Sequence, residues 1–316
     1  MCHKQIILNY MPSRLKDMFG KISENVFQRV REIRVRVGKP IILTIDSAEF
    51  FLSKEGLVKG GEKGIVLAQK DDISQIMELM SGYSPYAFEE QMKQGYITLS
   101  GGHRVGICGQ PVVVNGEIKT MKNLSGLNIR ISHEVKGCGE NVMSFLGESP
   151  RHTLIISPPC AGKTTLLRDL VRIMSNRGYS CGVADERSEI AGTYMGVPQN
   201  DVGIRTDVLD ACRKDIGMML LLRSMSPRII AADEIGHSGD ISAISEIIGA
   251  GIKIYCTVHG ESYLDAKNKL YLSELIDKRT FERYVVLSAR NGAGTVESVH
   301  GKNGEVLYNY LSLEGR

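Results

Sequence analysis

A chain of 316 residues, 42% hydrophobic and 24% charged, is long enough for about two domains with ordinary buried cores. The formal net charge is only +3, divided as 19 basic against 15 acidic residues over 1–140 and 20 against 21 over 141–316, so neither half is a dedicated nucleic-acid binder, and only a local basic patch stays open. The seven cysteines are scattered, odd in number and without a C-x-x-C pair, which reads as reduced thiols of a cytosolic protein.

At the start, Met1-Cys2-His3-Lys4-Gln5 lacks the apolar stretch of a secretory signal. The first 138 residues read as a small α+β unit. Over Glu32–Val37 the apolar Ile33, Val35 and Val37 alternate with Arg34 and Arg36, a strand pattern, and Lys39-Pro40 leads into a second strand at Ile41–Ile45. Asp71-Asp72 can cap a helix whose Ile73, Ile76, Met77 and Met80 share one face and which stops at Gly82. Tyr83, Tyr86 and Phe88 can stack bases in principle, but without a basic run they read as packing residues. Beyond Tyr96, turns at Gly101-Gly102, Gly109-Gln110-Pro111 and Asn115-Gly116 predict a run of short antiparallel strands. Lys136-Gly137-Cys138-Gly139 reads as the linker.

From 139 to 316 the pattern changes to α/β. Continuous apolar runs at Thr153–Ile156, Cys181–Ala184, Ile229–Ala232 and Ile252–Val258 read as strands buried on both faces, hence a parallel sheet. Helices are predicted at Thr164–Asn176, Val208–Ser224 and Asp240–Ile248, the first stopped by Arg177-Gly178. The apolar Ile216–Leu222 is too short to span a bilayer, so membrane association has to run through a partner. Thr295–His300 and Glu305–Tyr310 flank Gly301-Lys302-Asn303-Gly304 as a terminal hairpin.

The chemistry concentrates at the strand tips. Ser157-Pro158-Pro159-Cys160-Ala161-Gly162-Lys163-Thr164-Thr165, between a strand and a helix, is a phosphate-binding loop with serine at the usual first glycine. Pro158 and Pro159 have no N–H, so the anion donors come from Cys160, Ala161, Gly162, Lys163, Thr164 and Thr165. Lys163 supplies a cation and Thr164 a hydroxyl for Mg²⁺, which points to ATP with Mg²⁺ as the ligand. Asp233 at the tip of Ile229–Ala232 suits Mg²⁺, and Glu234 suits polarisation of the attacking water. Asp185-Glu186-Arg187-Ser188-Glu189 emerges on the same sheet edge, with Glu186 the choice for positioning water or metal and Asp185 close behind; the competing reading is a surface cluster neutralised by Arg187. His259 closes another strand as a candidate γ-phosphate sensor. Arg104 and Arg130 of the first domain are candidate cations for the transferring phosphate, with Arg205 and Arg223 as rivals.

In order, these boxes resemble the secretion ATPase superfamily, the hexameric motors of type II and type IV secretion and pilus retraction, and most closely its stage III sporulation protein AA family. Segments such as Gly101-Gly102-His103-Arg104-Val105-Gly106, Asp185–Ile190 and Leu222-Arg223-Ser224-Met225-Ser226-Pro227 extend the resemblance over nearly the whole chain. It implies a RecA-like P-loop ATPase domain behind a smaller N-terminal domain, with Arg104 and Arg130 reaching the nucleotide. It also implies a homo-hexamer docked from the cytoplasmic, mother-cell side on a membrane-embedded sporulation channel facing the forespore. Ser157 and Cys160 stand where that superfamily commonly has glycine. A nucleotide-gated scaffold with little turnover and a nucleic-acid translocase are the competing readings, the latter disfavoured by the charge balance.

Overall fold

The computed structural model describes residues 3–60, 64–83, 89–93 and 95–310. Two compact units emerge, Met1–His133 and Glu134–Arg316, against a sequence reading that divides the chain after residue 138. The predicted linker is tied into the second unit: Lys136 Nζ pairs with Asp201 at 2.8 Å and Glu134 at 3.3 Å, and the Gly139 N–H donates to Asp169 Oδ2 at 2.7 Å.

The first unit holds strands β1 (Val30–Arg36), β2 (Ile42–Ile45), β3 (Ala48–Ser53), β4 (Gly56–Val58), β5 (Tyr96–Thr98), β6 (Arg104–Val114) and β7 (Glu117–Arg130). They form one antiparallel sheet in the order β4-β3-β2-β1-β7-β6-β5. Alternation along each strand sends Ile33, Val35, Val105, Ile107, Leu127 and Ile129 into the core. The helix Lys70–Met80 packs on β7 and buries Ile73, Ile76 and Met80. Its start is a reciprocal cap between Gln69 and Asp72, so of the predicted Asp71-Asp72 pair it is Asp72 that caps, from inside the first turn, and Asp72 also pairs with Arg14.

In place of the predicted run of short strands, β6 and β7 form one long hairpin turned at Asn115-Gly116. Gly109 sits in a bulge, not a turn: a Cβ there would lie 3.0 Å from the Lys122 carbonyl oxygen and 3.1 Å from Leu124 Cα, so glycine permits close strand approach. Tyr83 is 72% exposed and therefore does not pack as expected; Tyr86, Phe88 and Cys2 lie outside the described residues.

The second unit contains β8 (Thr153–Ser157), β9 (Cys181–Asp185), β10 (Thr206–Asp210), β11 (Ile229–Ala232), β12 (Lys253–His259), β13 (Arg283–Ser288), β14 (Thr295–Gly301) and β15 (Val306–Asn309). The sheet order is β10-β9-β11-β12-β8-β13-β14-β15, parallel from β10 to β13 and antiparallel over the last two pairings. Alternate residues of the continuous apolar strands feed separate cores. Leu154, Ile156, Ile230, Ile254 and Cys256 pack with the helices Lys214–Ser224 and Ser238–Gly249. Ile155, Val183, Ile229 and Tyr255 pack with the helix Lys163–Asn176.

One predicted helix is corrected. Val208–Ser224 divides into strand β10 and the helix Lys214–Ser224, because Thr206–Asp210 pairs in register with Cys181–Asp185 and Ala211 then turns at φ +53°. Strand pairing thus overrides the continuous apolar count.

Candidate active site

Parallel pairing brings the C-terminal tips of β8, β12, β11 and β9 to one edge of the sheet, the edge where doubly wound sheets bind ligands. Strand β8 ends in Ser157, whose buried Oγ donates to the Pro158 carbonyl at 2.9 Å. The following loop turns through Cys160 at φ +60° and Gly162 at φ +92° into the helix Lys163–Asn176. Cys160 therefore occupies a conformation glycine adopts freely, at a cost of about 1 kcal/mol for a residue with a Cβ. Gly162 has a second reason to be glycine, since a Cβ would lie 3.0 Å from the Gly294 nitrogen. The Gly294 N–H also donates to the Ala161 carbonyl at 2.9 Å, so the turn after β13 straps the phosphate loop. Among the predicted anion donors, the Ala161 N–H makes a long 3.4 Å bond to the Pro158 carbonyl, and helix-starting Lys163 to Thr165 follow directly.

Thr164 Oγ1 donates to Asp233 Oδ2 at 2.5 Å. Thr257 donates to the other oxygen of Asp233 and accepts the Glu234 N–H at 2.9 Å. Burial pushes the Asp233 carboxyl up from its ordinary value, partly offset by the two hydroxyls. Glu234 stands just past it at φ +55°, a left-handed conformation that Thr257 helps to hold. Its carboxylate collects three cationic or imidazole groups: Lys163 Nζ at 2.9 Å, His259 Nε2 at 3.1 Å and Arg187 Nη1 at 3.3 Å. Desolvation raises Glu234, but the bond and charge of Lys163, with His259 and Arg187, outweigh it and hold the group below the usual glutamate value.

In the acidic box the two carboxylates at the end of β9 have different surroundings. Asp185 is buried and accepts the backbone N–H groups of Glu189, Ile190 and Ala191, so it folds the loop while also lining the cleft. Burial raises it to about 6 in spite of those three donors. Glu186 pairs with Lys214 Nζ at 2.7 Å and lines a narrow cleft with Arg187, Lys214, Asp233 and Glu234.

Of the arginines, Arg205 precedes the N-terminal end of β10, at the opposite edge, and bonds the Ser175 carbonyl at 3.2 Å. Arg223 is exposed in the last turn of Lys214–Ser224. Arg104 and Arg130 are direct register partners on β6 and β7 of the first unit. The Arg104 guanidinium lies 3.6 Å over the Tyr96 ring. Register places Arg34 and Arg36 of β1 on that same sheet face, where a cleft of about 360 Å³ opens beside Asn128.

With this geometry in hand, the comparisons are decisive about kinship. A family model described as sporulation stage III, protein AA, matches residues 1–307. The chain belongs to that family. Stage III sporulation protein AA of Bacillus subtilis (strain 168) is 38% identical over 307 residues, covering 95% of this chain and 96% of its own. Among solved structures, the pilus retraction motor PilT with bound ADP aligns at TM-score 0.57 and 11% identity over 83% of this chain and 76% of its own. The ATPase DotB of Legionella pneumophila aligns at TM-score 0.52 and 15% identity over 82% of this chain and 72% of its own. At that identity these structures show the fold, a RecA-like P-loop α/β architecture. Among the described residues, no helix of this family member is long and apolar enough to cross a membrane.

Several site residues of this sporulation family member escape a reading by motif. Buried Arg168, on the helix behind the phosphate loop, donates to the carbonyls of Ile190 and Glu189 and so ties that helix to the acidic box. Lys214 and the Gly292–Gly294 turn carry no local signal, because only strand order brings them to the edge. Thr257 had one, its place beside His259 at a strand tip.

Proposed function

We propose that this chain is an ATP-hydrolysing motor subunit that energises a membrane-embedded sporulation complex between mother cell and forespore. The observation that carries the reading is the convergence of Lys163, Thr164, Asp233, Glu234, Glu186 and His259 on one sheet edge. The Thr164 hydroxyl and the Asp233 carboxylate, already in contact, are hard oxygen donors suited to Mg²⁺. Bound there, Mg²⁺ would neutralise charge on the phosphate oxygens.

The chain's own groups do the rest. Backbone N–H groups from Cys160 to Thr165 and the Lys163 ammonium hold phosphate, and the dipole of the 14-residue helix Lys163–Asn176 favours its charge. Glu234 orients a water and takes its proton. Glu186 positions that water from the acidic box, and His259 contacts the terminal phosphate. Arg104 and Arg130, side by side on a sheet face, are suited to supply cations from a neighbouring subunit of a ring, a hexamer by analogy with the motors of this fold. Docking on the mother-cell face of a membrane complex, through a partner, completes the reading.

Lys163→Ala and Glu234→Gln in the full chain test it. Both are expected to stay folded by circular dichroism, to lose ATPase activity at least about a hundredfold, and to block spore formation; normal spore yield from both would defeat the motor. A second reading, a nucleotide-gated scaffold, draws on the Lys163–Glu234 pair, which occupies the base and the phosphate-binding lysine together. It predicts ATP binding and assembly without turnover.

A further inference from the structure

Arg187 follows β9 in the acidic box, and its guanidinium reaches across to the tip of β11. Its Nη1 lies 3.3 Å from Glu234 Oε2, while its Nε is a looser 3.6 Å from Glu189 Oε1. The side chain is 54% exposed, so two ion pairs and not close packing hold it. Exposed pairs of this kind add little stability, so a purely structural role gives a weak account of it.

The carboxylate it meets is the informative part. Glu234 also meets Lys163 at 2.9 Å and His259 at 3.1 Å, both through Oε1. A lysine in a phosphate loop is a phosphate ligand, and whatever shares a carboxylate with its ammonium stands within one side-chain swing of the phosphate that the ammonium binds. Carboxylate and phosphate oxygens are equivalent acceptors for a guanidinium fork, and phosphate offers more of them. Of the two groups that join Lys163 on Glu234, only Arg187 is permanently charged.

We propose that Arg187 is a terminal-phosphate ligand supplied in cis: as a nucleoside triphosphate binds, Arg187 exchanges the Glu234 carboxylate for γ-phosphate oxygens, together with Lys163 and His259. The exchange makes and breaks only ion pairs and hydrogen bonds. Its consequence is that the triphosphate itself releases Glu234 to accept a proton from water, whereas a diphosphate leaves the carboxylate tied. The inference rests on the nucleotide-site reading above and adds discrimination between ATP and ADP to it.

Equilibrium binding of fluorescent ATP and ADP with Mg²⁺ to the full chain tests it, using wild type, Arg187→Ala, Arg187→Lys, Glu234→Gln and the Arg187→Ala/Glu234→Gln double variant. Loss of a charge-assisted bond is expected to weaken ATP binding by about tenfold or more while changing ADP binding by less than about threefold. Arg187→Lys is expected to recover part of the ATP affinity. The ATP loss is expected to persist in the Glu234→Gln background, since the contact is with phosphate. Equal losses for ATP and ADP would overturn the proposal, as would a loss that disappears once Glu234 is neutral. Arg187→Gln, closer in size, replaces Arg187→Ala if circular dichroism shows that variant unfolded. Wild type that binds neither nucleotide would instead remove the nucleotide-site reading itself.

Discussion

The two units place their charged groups by opposite rules. In the first, an antiparallel sheet with one buried face, polar residues alternate with apolar ones, so Arg34, Arg36, Arg104 and Arg130 share a surface through register. In the second, both faces of a parallel sheet are buried, and polar chemistry is expelled to the strand tips, where Asp233, Glu234, His259 and the phosphate loop meet. Charged groups of the first unit therefore meet across neighbouring strands, those of the second at strand ends.

That contrast can be broken most severely at Arg168, a buried cation that satisfies two carbonyls of the acidic-box loop. Arg168→Met is expected to cost about 3 kcal/mol in urea unfolding, because a buried and a half-buried carbonyl lose a charged donor. It is also expected to speed hydrogen exchange at Glu189 to Ala191; unchanged exchange there would mean that Asp185, with Gln199 and Asn200, holds the loop without Arg168.

An intermediate effect is expected from acid on the first unit. His103 is fully buried and lies 5.1 Å, ring to ring, from His3; desolvation, then the charges of His3 and His133, lowers it to about 3. Its neutral form accepts the Ser132 N–H at 3.1 Å, so the proton sits on Nε2. The folded value lies below the unfolded one of 6.5, so stability is full above about pH 6.5 and is lost as pH falls towards 3. Between pH 6.5 and 5 the loss is about 1.6 kcal/mol. His103→Asn, which keeps an acceptor for Ser132, is expected to flatten that slope in denaturant titrations at successive pH values; an unaltered slope would move the acid sensitivity to other groups.

The smallest change sharpens the register argument. Gly109→Ala puts a Cβ 2.9 Å from Leu124 Cδ2 and 3.0 Å from the Lys122 carbonyl oxygen. A cost of about 1 kcal/mol is expected in thermal unfolding, with shifted amide resonances along β6 and β7 only. A neutral substitution would show that the bulge gives way easily.

Legibility followed the same division. The phosphate loop, the strand at Ile229–Ala232 and the terminal hairpin were readable because each is a local pattern of burial and turn chemistry. The long hairpin was misread at Gly109, since a glycine that lets two backbones approach looks, in sequence, like one that turns. That Asp185 also caps its own loop has no local signal, because three N–H groups converge on it only after residues 189–191 curl back.

Local patterns in the chain settle which segments are strands of a parallel sheet and which loop carries the phosphate-loop motif, because apolar periodicity and such a motif act over a few residues. Only the tertiary structure decided that Thr164 meets Asp233, that Lys163 meets Glu234, and that Arg187 joins them. Those meetings follow from the order β9-β11-β12-β8, a choice among long-range strand pairings that no local pattern encodes.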